Sequence, residues 1–295
     1  MIESGIELSR PPRGWRPKVT AIVPCYNAAG FLERTLYCLS AQTWPDLEIL
    51  IGDDCSTDDT LDVVRRFAAG NPNVRVVTRE GNLGWLRNTN DLMGCATGEL
   101  MFFAFHDDVV APTYVERLVE ALRDRPRAIL AFSDMEVVGF VAENSLDVWT
   151  YDALTGVTGS LARGLVMGRN AWGWWVPNRG LFRTEAFRRI GGIKPNDCGE
   201  YSADWTWLLH MALLGDFVRV PELLCRKYYM KGSLSRRWQN TPEQRQALLR
   251  AAIREVRESA LPLHEKLILM VHLKWRHRIP RRPRAAAKRL LGTKV

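Results

Sequence analysis

The sequence predicts an α/β fold with a mostly parallel central sheet and a helical extension at its C-terminal end. Three observations predict it. Short, apolar, β-branched runs alternate with segments of helical spacing between residues 19 and 134. These runs have no polar alternate face, so the sheet they form is covered on both sides, as parallel sheets flanked by helices are. After residue 239 the strand-like runs stop and only helical patterns remain.

The elements follow in order. Residues 1–17 read as a flexible arm in which Pro11, Pro12 and Pro17 break any helix. Val19–Asn27 is a first strand, Phe31–Gln42 a helix and Leu47–Asp54 a second strand. Ser56 and Asp59 stand at capping-box spacing before the helical run TLDVVRRFAA. Val74–Thr78 is a third strand, Trp85–Ala96 a helix, Leu100–Phe105 a fourth strand, Pro112–Arg123 a helix and Ala128–Asp134 a fifth strand. Residues 139–180, rich in Gly, Trp and Asn, predict loops with short pieces of structure. Helical patterns return at Thr184–Ile190 and Ala203–Leu214. Thr241 to Gln244 form a second capping box, with Pro242 at the first helical position, and open a helix to about Ala260. The pattern divides the chain into an arm (1–17), two halves of one domain (18–135 and 136–238) and a basic helical extension (239–295).

Composition narrows the function. The net charge of +8 is concentrated in one place: residues 274–295 carry nine Lys or Arg and no acid, which leaves residues 1–273 at −1. A nucleic-acid-binding domain carries its positive charge on the folded body, so nucleic acid is not an expected partner. The six cysteines form no C-x-x-C pair and lie mostly in apolar runs, where a reduced thiol behaves as a small hydrophobe. With no apolar leader at the N-terminus, the expected location is cytoplasmic. The segment LHEKLILMVHLKWRHR leaves two readings open. It lies in a membrane interface with the arginines on anionic headgroups, peripheral to the inner face, or it is a helix packed on the domain with a solvated basic tail.

Ligands of open parallel sheets bind beyond the carboxyl ends of the strands. Two predicted strands end in paired aspartates there, Asp53-Asp54 and Asp107-Asp108. Adjacent carboxylates repel, and burying them unpaired is costly. A hard cation, Mn²⁺ or Mg²⁺, shared with a substrate phosphate would relieve the conflict. Either pair alone could equally be helix-capping. The four carboxylates are expected to converge around one cation.

The segment from Val19 to Thr60, with P-x-Y-N at Pro24–Asn27, Gln42-Thr43 and D-D-x-S-x-D at Asp53–Asp58, resembles the opening of family 2 glycosyltransferases. The run from Asn82 to Leu118 and the run from Gly191 to Leu224 resemble the family's next two blocks, so the ordered motifs cover roughly Val19 to Ser235. The resemblance implies a GT-A fold and an inverting transfer of a sugar from a nucleotide-sugar to an acceptor hydroxyl. Pro24, Tyr26, Asp53, Asp54 and Arg87 would meet the nucleotide, with Asp54 accepting from a uracil or thymine ring of a UDP- or dTDP-sugar. Asp107 would hold the metal and diphosphate, with Asp108 beside it as a second metal ligand, and Asp204 would be the general base. The sequence departs from the commonest D-x-D pattern, since Phe105 stands where the first aspartate is usual and His106 precedes the retained pair.

In AWGWWVPNRGLF, Trp172, Trp174 and Trp175 are candidates to stack on a glycan or lipid-linked acceptor, and Asn178 and Arg179 to fix its hydroxyls. The alternative for each tryptophan is a place in the core. A nucleotidyltransferase would want a basic, Gly-rich loop after the first strand, where this chain has PCYNAAG. A non-catalytic nucleotide-sugar-binding relative is the third reading.

Overall fold

The computed structural model describes residues 14–140, 145–169, 173–229 and 238–278. Its strands are β1 (Val19–Cys25), β2 (Leu47–Asp53), β3 (Val74–Thr78), β4 (Leu100–Phe103), β5 (Asp108–Val110), β6 (Ala128–Val138), β7 (Leu146–Trp149), β8 (Leu181–Arg183) and β9 (Asp216–Tyr228). Its helices are α1 (Ala29–Ser40), α2 (Thr60–Ala69), α3 (Trp85–Cys95), α4 (Tyr114–Arg123), α5 (Ser160–Gly168), α6 (Thr184–Ile190), α7 (Ala203–Leu214), α8 (Pro242–Glu258) and α9 (Leu263–Arg278).

One sheet of nine strands runs in the order β3-β2-β1-β4-β8-β6-β9-β5, with β7 on β6. The strands β3, β2, β1 and β4 are mutually parallel. Every residue of β1, β2 and β4 is buried, and the polar pair Thr20 and Glu48 among them is matched, with Thr20 Oγ1 donating to Glu48 at 2.7 Å. Beyond β4 the strand directions are mixed: β8 is antiparallel to β4 and β6, and β9 is parallel to β6. The expected boundary between residues 135 and 136 falls inside β6, so both halves share this sheet.

Local chemistry explains the ends of the elements. Thr241 and Gln244 form the reciprocal capping box that their spacing predicts. The box expected at Ser56 and Asp59 is absent. Asp59 makes no side-chain cap; Asp58 accepts instead from the Thr60 and Ala29 amides at 3.0 and 3.2 Å. Ser56 Oγ accepts from the Asn27 amide at 3.0 Å. These bonds tie the loop after β2 to the loop after β1. The arm does not extend to Pro17 as expected. Trp15 is buried, its indole N–H donates to Glu99 at 3.4 Å, and the Pro17 carbonyl accepts from Trp44 at 3.1 Å.

The turn into β4 has no room for a side chain. A methyl group on Gly98 would lie 2.7 Å from both the Leu100 carbonyl oxygen and the Thr20 amide nitrogen. Both are backbone atoms of paired strands and cannot swing aside. Gly98→Ala is expected to cost about 1–3 kcal/mol, read as a lower midpoint in urea unfolding; an unchanged midpoint would mean the β1–β4 contact yields.

Candidate active site

The carboxyl ends of β1, β2 and β4 form one rim, because β1 pairs with both neighbours in parallel register. Cys25 lies opposite Asp53 in that register, so the loops after β1 and β2 leave the sheet side by side. Pro24 sits in this row, and its carbonyl accepts from His106 Nδ1 at 3.1 Å, which fixes the His106 proton on Nδ1. Tyr26, next along, is exposed beside Asn27, whose φ of 48° is a left-handed turn.

Asp53 and Asp54 are both buried but differently used. Asp53 Oδ2 accepts from the Ser56 amide at 3.2 Å, while its Oδ1 is buried without a hydrogen-bond partner. Asp54 accepts from the Leu83 and Gly84 amides at 2.8 and 2.9 Å and so fixes the loop that enters α3. Glu200 accepts from the Leu86 amide at 3.0 Å at the same helix start. Burial pushes the Glu200 carboxyl upward against that amide, and Asp54 adds to the rise. Arg87 lies exposed on α3.

The second acidic pair follows β4. Asp108 opens β5, where antiparallel pairing sets Lys227 of β9 directly opposite it. Lys227 Nζ donates to Asp107 Oδ2 at 2.8 Å and lies 3.6 Å from Asp108 Oδ1. Arg179 Nε donates to Asp108 Oδ2 at 3.0 Å, and its guanidinium lies 4.9 Å from the centre of the Phe105 ring. Two carboxylates are thus matched by two cations. Burial alone would raise the Asp107 carboxyl, but Lys227, His106 and Arg179 hold it below the ordinary carboxylate range.

Asp204 stands in the first turn of α7. Asn178 Nδ2 donates to its Oδ2 at 3.0 Å, and the Trp205 amide donates to its Oδ1 at 3.1 Å. Burial pushes its carboxyl up to about 6, against the pull of Arg179 and of the amides. A base with that affinity is deprotonated at neutral pH yet still takes a proton readily. Asn178 and Arg179 are consecutive in the short turn Pro177–Arg179, so one turn joins Asp204 to Asp108.

The expectation that four carboxylates converge on one cation is not met. Among the described residues, no three His, Cys, Asp or Glu side chains come together where they could hold a metal ion. Asp54 is turned to its loop amides, and Asp107 and Asp108 face Lys227 and Arg179. Asp108 Oδ1 nevertheless remains buried without a hydrogen bond. Mg²⁺-type ions need only one or two carboxylates together with substrate phosphate oxygens.

The acceptor-side assignments shift. Asn178 and Arg179 are engaged by Asp204 and Asp108 rather than offered as free donors. Trp175 packs 5.0 Å from Trp149, centre to centre, and Trp174 is half-buried against the core. Trp172 lies outside the described residues. Trp207 packs beneath the site against Phe103 and Phe182. Sequence reasoning missed Lys227 and Glu200 as partners; a lysine inside the run LLCRKYY was the one available signal for Lys227.

Residues 20–159 match the sequence profile described as Glycosyl transferase family 2. This segment, just under half of the chain, resembles that family.

Known proteins agree with that resemblance. Over 111 residues the chain is 32% identical to TuaG of Bacillus subtilis, named as a glycosyltransferase of teichuronic acid biosynthesis; the match covers 38% of this chain and 44% of TuaG. The chain spans less than half the length of the first curated relatives it matches. Among solved structures, S. aureus TarS 1-349 in complex with UDP-GlcNAc superposes with a TM-score of 0.70 at 19% identity, over 88% of this chain and 72% of that one. The mannosyltransferase PcManGT from Pyrobaculum calidifontis, in complex with GDP-Man and Mn²⁺, superposes with a TM-score of 0.57 at 19% identity, over 98% of this chain and 79% of that one. The fold is the GT-A fold that the sequence predicts. The nucleotidyltransferase reading gains no support from these matches.

Proposed function

We propose that this chain transfers a sugar from a nucleotide-diphosphate sugar to an acceptor hydroxyl, with inversion, in cell-surface polysaccharide or glycolipid assembly. The observation that carries the reading is the Pro177–Arg179 turn, which holds a basic carboxylate, Asp204, and a charge-compensated acidic pair, Asp107 and Asp108, in one frame. Asp204 takes the proton of the acceptor hydroxyl as its oxygen attacks the anomeric carbon. The bond from that carbon to the diphosphate breaks on the opposite side, so configuration inverts in a single displacement.

Asn178 and the Trp205 amide orient the Asp204 carboxylate. A divalent ion, Mn²⁺ or Mg²⁺, bound by Asp107 and Asp108 would supply positive charge to the departing diphosphate. Lys227 and Arg179 add fixed positive charge beside the same carboxylates, where low dielectric strengthens it. Pro24, Tyr26, Asp53, Asp54 and Arg87 would line the nucleotide. Asp54 still has lone pairs for a ring N–H of uracil or thymine, as a UDP- or dTDP-sugar would offer. The UDP-GlcNAc donor in the TarS complex supports a uridine donor. Trp174 and Trp175 would meet a glycan or lipid-linked acceptor.

A thermal-shift screen of UDP-, dTDP- and GDP-sugars, with and without Mn²⁺, tests the donor. A uridine or thymidine donor is expected to raise the melting temperature by several degrees at millimolar concentration, and more with Mn²⁺. No shift with any of them would reject the reading.

A further inference from the structure

The helix α9 (Leu263–Arg278) is apolar on two sides. One side is packed. Leu269 and Leu273, one turn apart, are buried over Gly164 and Gly168 of α5. A methyl group on Gly164 would lie 2.8 Å from Leu269 Cδ2, and one on Gly168 3.1 Å from Leu273 Cδ2, so the helices meet at close range.

The other side is bare. Leu263, Leu267, Ile268, Val271 and Trp275 are 72, 52, 49, 67 and 58% exposed. They are half of the ten large apolar side chains that the described residues leave exposed, gathered on one helix. At 100° per residue they fall within an arc of roughly 140°. Glu265, the helix's only acid, lies outside that arc, while the exposed Lys274 lies inside it. Contiguous apolar patches on a protein surface mark contact sites rather than accidents of folding.

Charge identifies the contact. The chain continues from this helix into residues 279–295, which hold six Lys or Arg and no acid. An exposed face of Leu, Ile, Val and Trp that leads into a polybasic run matches a bilayer surface of anionic lipids: apolar side chains enter the headgroup boundary and cations meet phosphates. We propose that the outward face of α9 seats this protein on an anionic phospholipid surface. No helix among the described residues is long and apolar enough to cross a membrane, so the contact is a surface one. The packed side of the helix matches one sequence reading of this segment, and the bare side is the face that the interfacial reading requires. This inference is independent of the proposed transfer chemistry.

The test is flotation of the full chain with vesicles of phosphatidylcholine alone and of phosphatidylcholine with phosphatidylglycerol. The wild type should float with the anionic vesicles and much less with the neutral ones. The variant Leu267→Ser, Val271→Ser, Trp275→Ser should lose at least tenfold of the bound fraction, with an unchanged melting temperature because these side chains face outward. If the triple variant does not fold, Val271→Ser alone should still reduce the bound fraction severalfold. Equal flotation of wild type and variant, or no flotation of either, would overturn the proposal. So would a dimer, seen by ultracentrifugation and abolished by the same substitutions, that binds no vesicles, since a second copy would then cover the face.

Discussion

Asp204→Asn is expected to abolish sugar transfer while raising the melting temperature at pH 8. The Asp204 carboxyl stands near 6 in the folded chain, against an ordinary value of 3.8, because burial disfavours its charge. The folded state therefore holds this proton more tightly than the unfolded chain does. Its stabilising contribution is fully present below pH 3.8 and is lost as pH rises through about 6. Above that range the buried charge costs roughly 2–3 kcal/mol at 1.36 kcal/mol per unit. Asparagine keeps the shape and carries no charge, so its gain should be several degrees at pH 8 and vanish near pH 4. Wild-type transfer should fall as pH drops through about 6, where the base becomes protonated. Donor binding should survive the substitution. Full activity of Asp204→Asn would remove this carboxylate from the base role, and a melting gain equal at pH 4 and pH 8 would show that the charge is not its source.

Lys227→Met is expected to destabilise the fold by about 3–5 kcal/mol and to abolish transfer. Without the ammonium, Asp107 and Asp108 are left as adjacent buried acids, Asp107 has lost its nearest cation, and Arg179 is hydrogen-bonded, of the two, only to Asp108. Asp107→Asn should be costly for the converse reason, since it strips Lys227 of its 2.8 Å partner. Combining Lys227→Met with Asp107→Asn removes both charges and should recover most of the lost stability without recovering activity. Urea unfolding of the four proteins of this cycle measures the coupling. Strictly additive losses would mean that the pair is not coupled in the folded state.

The part of the fold set by local pattern was legible. β1 to β4, with α1 to α3 between them and α4 after them, lie within a few residues of the runs that predict them, because buried parallel strands are written in largely apolar sequence. Of the strands beyond, only the start of β6 was legible, as the run Ala128–Asp134. β5 and β8 are three residues long, too short to carry a period. The thirteen residues of β9 include Pro221, Glu222 and Arg226, and its pairing with β6 shifts register near Ser133, so no clean alternation survives. The site divides in the same way. The Asp pairs are visible because each lies at the end of its own strand. The partners that make those carboxylates tolerable are not, because Lys227 is 120 residues from Asp107 and Arg179 is 71 from Asp108. Asn178 and Arg179 draw attention only as polar residues after a tryptophan cluster, and nothing local says that acids face them.

Side chains alternate between the two faces of a strand, so sliding β9 by one position against β5 would turn Lys227 away and bring Arg226 or Tyr228 opposite Asp108. Asp107 would then lose its ammonium partner in the interior. The ion pair thus acts as a key for alignment. A single-residue insertion or deletion between Asp216 and Lys227 should be far more harmful than one of equal size in the connection between β6 and β7.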